Sequence, residues 1–191
     1  MGKYTHQVNK QYDYGEDIEI QFRKASISRD KNKIKRFKCG NDQIDKCLYE
    51  CFDQSFSTTR VFVDKQDYSI IGYTTLACSG IVTIKEHTHL TQPAIEIKSF
   101  AIDQRLHGLH YFRSYPDELF NLSDMLLLAV MDHCSNLSAR IGFRYITLYA
   151  VKDAISLYTR QGFKPFSEFM EPDTHLWIDG CIPMYIEIDK I

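Results

Sequence analysis

The sequence is short of most features that would settle its class at sight. With nine glycines and five prolines in 191 residues, it has no Gly- or Pro-rich tract, which excludes a flexible linker or a low-complexity arm. A Cys-x-x-Cys pair is also missing. The six cysteines, Cys39, Cys47, Cys51, Cys78, Cys134 and Cys181, are scattered, so a zinc ribbon or redox pair is excluded and packed free thiols are expected. His107 and His110 flank Gly108, but no third ligand stands at a metal-binding spacing, so no metal is expected. Charge of one sign is lacking too: a net charge of -2 gives no global pull toward nucleic acid. No apolar run reaches membrane-spanning length, and the opening MGKYTHQVNKQYDYGEDIEI has no apolar core of a signal peptide. The expectation is a cytoplasmic protein with no membrane partner.

What is present reads as one domain of mixed α/β type, spanning residues 1–191, with residues 1–21 as an N-terminal arm and 109–122 as a loop insertion. A short strand is expected near Phe22 to Ile27. The run RDKNKIKRFK, Arg29 to Lys38, holds six basic residues in ten and reads as a solvated face or a phosphate-contacting one. A helix capped at Asn41 or Asp42 follows, with Ile44, Leu48, Cys51 and Phe52 on one side. TRVFVDK and SIIGYTTLACSGIVTI read as two antiparallel strands joined by a tight turn. In PAIEIKSFAID, Ile95, Ile97, Ser99 and Ala101 alternate with Glu96, Lys98, Phe100 and Ile102, the mark of a strand. MLLLAVMDHCSNLSARIG has helical spacing and Gly142 to end it. FRYITLYAV is a strand, DAISLYTRQGF a short helix stopped at Gly162, and FKPF and CIPMYIEI are closing strands.

This order, with its motifs, resembles the Gcn5-related N-acetyltransferases over roughly Lys24 to Ile188, nearly the whole chain. Phe100, Ala101, Ile102 and Asp103 match the end of that family's central strand. Ala154, Leu157, Tyr158, Gly162 and Phe163 match its helix near the thiol end of coenzyme A, and RFKCGNDQID (Arg36 to Asp45) is similar to an opening found in the toxin-type branch. The resemblance implies an α/β fold with a central mixed sheet and helices on both faces. It implies an acetyl-CoA-dependent N-acetyltransferase that moves acetyl directly to an amine acceptor, with acetyl-CoA as acyl donor and no metal. Two parallel strands would part to admit the pantetheine arm, between Phe100 to Ile102 and Leu148 to Ala150, and main-chain amides there could meet developing negative charge. Tyr158 is the implied proton donor to the departing sulfur; alone, its pattern favours a tyrosine packed on the sheet with its hydroxyl satisfied. Glu96 is a candidate general base, and pairing with Lys98 on the same strand face is its alternative.

Coenzyme contacts are expected from Phe100, Ala101, Ile102, Arg105, Gly108, Leu109 and Ala150. The family's pyrophosphate loop needs glycine where backbone approaches phosphate. Here Arg105 and Gly108 fit, while His110 stands at the second glycine and Val151 where the family often has asparagine. Either the inserted segment folds aside and Gly108, Leu109 and the helix amides still grip pyrophosphate, with Arg105 or Arg113 adding charge, or the grip is lost and the fold serves as a non-catalytic interaction module. Tyr111, Phe112, Tyr115 and Phe120 read as anchors of a surface loop or as a lid. The toxin-type likeness implies a third reading, acetylation of aminoacyl-tRNA with an antitoxin partner; a homodimer is a family-level expectation.

Overall fold

The computed structural model describes residues 3–7, 17–50, 56–85, 88–112, 119–167, 170–172 and 180–190. The chain forms two compact units, Met1–Thr75 with Ser99–Ala129, and Leu76–Lys98 with Val130–Ile191. The expected arm and insertion both carry strands. β1 (Lys3–Gln7) pairs antiparallel with β2 (Asp17–Lys24). Within the insertion, β6 (His110–Phe112) pairs with β7 (Leu119–Asn121) and with β1. Arg113 and Tyr115, like Cys51 and Phe52, lie outside the described residues.

In the first unit β2 pairs antiparallel with β3 (Ser57–Asp64). The first residues of β4 (Ile70–Lys85) and the last of β5 (Thr88–Ile102) also belong to this unit. Val61, Phe62 and Val63 are all buried, so both faces of β3 are covered rather than one. One face carries Val61, Val63, Tyr73 and Ala101, clustered with Ile34, Phe37 and Leu48. Those three come from α1 (Ile27–Ile34), the residues just after it, and α2 (Asp42–Glu50). The Tyr73 hydroxyl donates to the Ile44 carbonyl at 2.6 Å, tying sheet to helix. Gly72, next to Tyr73, faces the other way, because successive strand residues alternate. A Cβ there would lie 3.0 Å from the Ala101 carbonyl, 3.3 Å from Phe62 and 3.4 Å from Leu126 of α3 (Leu122–Ile141). Glycine is what lets this helix sit against the sheet.

The two short helices have different starts. Asn41 caps α2 as expected, its Oδ1 accepting from the amides of Gln43 at 3.0 Å and Ile44 at 3.2 Å. At α1 the reach is backward: Asp30, fully buried, accepts from the Ser26 amide at 2.9 Å and takes both terminal nitrogens of Arg23 at 2.8 Å. The basic run is thus a helix held inward by one carboxylate and Ile34, with its lysines outside.

The second unit is built around β8 (Tyr145–Val151), parallel to β5 on one edge and antiparallel to β11 (Cys181–Glu187) on the other. β9 (Lys164–Pro165) pairs with β11, and β10 (Met170–Pro172) with Ile81–Thr83 of β4. Gly142, at φ +70°, ends α3 as its position suggested. A tight turn, Lys152–Ala154, leads from β8 into α4 (Ile155–Arg160), which Gly162 closes at φ +89°.

Candidate functional site

The β5–β8 ladder is short. It runs from Ala94–Tyr145 to Ile97–Leu148 and stops there. β8 goes on for three residues, still paired to β11 through Ala150–Ile182 and Val151–Cys181. On the β5 side, Ala150 and Val151 therefore have no ladder partner within their own unit among the described residues, and Ala150 is wholly buried. Parallel strands joined over four pairs and then left unjoined leave backbone donors and acceptors available to something else.

Glu96 lies one pair before the ladder ends, opposite Thr147. Ala94, Ile95, Glu96 and Ile97 are all buried, so its carboxyl occupies a strand covered on both faces. Burial pushes its pKa up, and the positive charge of Lys98 only partly opposes this. No hydrogen bond to the Glu96 carboxyl is made among the described residues. A buried carboxyl held toward neutrality without a fixed partner is the kind of group that catalytic sites use.

Tyr158 sits in α4, which begins just beyond β8. It is 6% exposed, and its ring meets Phe163 edge to face at 5.8 Å. The turn after the helix fixes this contact, since the amides of both Gln161 and Phe163 donate to the Tyr158 carbonyl at 3.1 Å. Its hydroxyl has no hydrogen-bond partner among the described residues. Burial pushes the phenol well above its ordinary range, with a smaller push from Cys181. That half-buried thiol, itself raised by burial, is a neighbour no local pattern could have revealed, because the two residues lie far apart in sequence.

In the first unit, β5 ends with Phe100 half-buried and Ala101 and Ile102 buried. The loop after it is strongly self-satisfied. The Asp103 amide donates to Ile71, Gln104 to Lys38, Leu106 to Asp103, His107 to Gln104 and Leu109 to Leu106. The Arg105 amide donates to the Asp103 carboxylate at 3.0 Å, and so does its guanidinium, at 2.9 Å to each oxygen. Asp103, 2% exposed, thus clasps the arginine expected to meet phosphate; that bidentate bond raises the Arg105 pKa. The signal was present in sequence as an acid and a base two residues apart around a turn. Gly108, at φ +76°, has nothing within 4 Å of an added Cβ, and among the loop amides from Asp103 to Leu109 its own alone lacks an acceptor among the described residues. Leu109 is buried, its carbonyl accepting from the Leu122 amide at 2.8 Å where α3 begins.

Among the described residues no group of three His, Cys, Asp or Glu could hold a metal. No helix among them is long and apolar enough to cross a membrane.

No protein-family model matches the sequence, and no curated protein is similar to it. Solved structures do resemble it. The chain is similar to the KacTA–DNA complex at 18% identity and TM-score 0.64, over 90% of this chain and 95% of that one. It is similar to AtaT complexed with acetyl-methionyl-tRNAfMet at 15% identity and TM-score 0.67, over 90% and 96%. It is also similar to AtaTR bound with AcCoA, at 15% identity and TM-score 0.64, over 90% and 95%. At such identities the likeness is one of fold, and it spans nearly the whole of each chain.

Proposed function

We propose that this chain, whose fold is that of the toxin-type Gcn5-related N-acetyltransferases, is an acetyl-CoA-dependent N-acetyltransferase. The observation that carries the reading is the early end of the β5–β8 ladder, followed by a helix whose buried Tyr158 has no hydrogen-bond partner for its hydroxyl among the described residues. Acetyl-CoA would supply an acetyl group already activated as a thioester. The residues therefore need to orient an amine, take its proton and protonate the departing sulfur. The main chain of Ala150 and Val151, past the end of the β5–β8 ladder, would hold the pantetheine arm. Tyr158 gives its proton to sulfur. The phenol's ordinary pKa near ~10 lies above a thiol's near ~8.5, and the burial that raises one raises the other in the same surroundings, so the transfer stays near balance. Glu96, with its basicity raised by burial, takes a proton from the ammonium acceptor.

The strand end fits the coenzyme better than the loop does. With Arg105 engaged by Asp103 and most loop amides donating within the protein, pyrophosphate would rely on Gly108, Leu109 and the start of α3. Isothermal titration with acetyl-CoA tests the proposal directly, with heat of binding expected. Absence of heat at high micromolar ligand would refute it and leave a folded module without coenzyme.

A second reading narrows the acceptor to aminoacyl-tRNA. AtaT, a fold neighbour, is complexed with acetyl-methionyl-tRNAfMet, and α1 turns Arg29 and Lys31 outward, with Lys35 and Arg36 exposed just beyond it, where phosphates could be met. Expression should then arrest growth unless an antitoxin is supplied; harmless overexpression rules this acceptor out.

A further inference from the structure

The sheet face of the first unit that carries Gly72 and Phe62 also carries a row of polar groups. Lys24 on β2 stands directly opposite Arg60 on β3 in the antiparallel ladder, so both side chains leave the same face. Two cations directly opposed across a ladder repel, and among the described residues no carboxylate lies within ion-pair distance of either. The next position in the row is Thr74. The hydroxyls of Thr59 and Thr75 meet at 3.1 Å on the other face, so their strand neighbours Arg60 and Thr74 share this one. Thr74 is wholly buried and its Oγ1 has no partner among the described residues; the Nε of Arg60 is likewise buried without one among them. The hydrogen bond from the Asp103 amide to the Ile71 carbonyl sets Phe100 beyond Thr74, closing the row with an aromatic ring.

The arginine is also held in place. Its guanidinium lies over the Phe22 ring at 4.6 Å, and Phe22 is stacked on Phe62 at 4.4 Å. Stacking fixes the guanidinium plane and leaves its edges as hydrogen-bond donors. Burial deepens along the row, from exposed Lys24 through half-buried Arg60 to Thr74. Adjacent strands lie ~4.8 Å apart, so the two long side chains and the hydroxyl can converge on one small group. Every group in the row can donate, and among the described residues no acid answers the charge.

We infer that Lys24, Arg60 and Thr74 form an oxyanion receptor, which takes a carboxylate or a phosphate ester group of a ligand, Arg60 binding it side-on, Thr74 donating from beneath and Lys24 closing the outer end. The inference stands on this one unit and does not depend on acetyl transfer. Its test is thermal denaturation of the full chain at fixed ionic strength in chloride, acetate or inorganic phosphate. An anion at about ten times its Kd should raise Tm by a few degrees over chloride. Arg60→Gln should lose that rise, and Lys24→Gln and Thr74→Val should weaken binding several-fold. Phosphate stabilises most proteins by exclusion from their surface, but this acts equally on Arg60→Gln, so the difference between the two proteins reads the site. A rise with phosphate alone assigns a phosphate ester, with acetate alone a carboxylate. The receptor is refuted if neither anion exceeds chloride, or if Arg60→Gln keeps the full rise.

Discussion

Replacing Tyr158 by phenylalanine separates a catalytic hydroxyl from a structural one, because the oxygen has no hydrogen-bond partner among the described residues. The ring contact with Phe163 and the backbone bonds that hold the turn survive the change. What goes is a hydroxyl without a hydrogen-bond partner among the described residues, on a side chain that is 6% exposed. With no bond of the described fold lost, Tyr158→Phe should shift stability by less than about 1 kcal/mol, under some 2–4 °C in Tm for a chain of this size. Loss of a general acid lowers turnover about 10²- to 10⁴-fold, or ~3–5 kcal/mol of barrier at ~1.4 kcal/mol per decade. The assay is release of free thiol from acetyl-CoA with methionyl-tRNA or a small primary amine as acceptor, beside calorimetric acetyl-CoA binding, which should be unchanged. A Tm several degrees lower would show that the hydroxyl has a structural partner. An unaltered rate would remove Tyr158 from the chemistry.

Glu96→Gln should abolish the acid limb of the kcat/KM profile, whose apparent pKa lies above the ordinary 4.5 because burial raises it; a limb that persists identifies another base. The same raised pKa makes the neutral carboxyl the stabilising form, with stability full below the unfolded pKa and lost as pH rises through the folded one, so Glu96→Gln should melt above wild type at pH 7 and level with it near pH 3. Gly72→Ala drives a Cβ to 3.0 Å from the Ala101 carbonyl and should cost ~1–3 kcal/mol in denaturant titration; an unchanged midpoint would mean that α3 is not seated there. Asp30→Ala leaves Arg23 unpaired in a buried place and should cost ~3–5 kcal/mol. Burial pulls the Asp30 pKa upward, but Arg23, the Ser26 amide and Arg29 together hold it below the ordinary range. Its stabilisation is therefore present above the unfolded value near ~4 and fades as pH falls through the folded one, so the wild-type advantage over Asp30→Ala should shrink in acid melts.

The elements that were legible in sequence are those whose pattern is self-contained. Gly142 and Gly162 end α3 and α4 at positive φ, Asn41 caps α2 with its own side chain, and the strand through Ile95 and Ile97 runs where alternation placed it, inside β5. The basic run from Arg29 to Lys38 hid a helix because its inward residues are Asp30 and Ile34. An aspartate at a core position breaks the apolar period, and Arg23, seven residues earlier, with the Ser26 amide makes it tolerable there. The first seven residues and the insertion show no strong period of their own; β1, β6 and β7 are strands because they pair with one another and with β2, and such long-range pairing leaves little trace in a short window.

The same division runs through the candidate site. Tyr158 and Glu96 could be singled out from motif and position, but not the reason they differ from ordinary surface residues, which is burial supplied by elements distant in sequence. The loop after β5 shows the opposite case. Its arginine and glycine are where a phosphate grip would put them, yet Asp103, read only as the end of a strand motif, takes the arginine's charge and one loop amide for itself. Composition within three residues therefore carried both the attraction to phosphate and its internal competitor. Which prevails is a matter of energies of similar size: a bidentate bond to a buried carboxylate is strong, but the Arg105 side chain is 62% exposed, where solvent screening weakens ion pairs toward ~0–1 kcal/mol. A diphosphate offering two charges at that position competes with a clasp that water has already loosened.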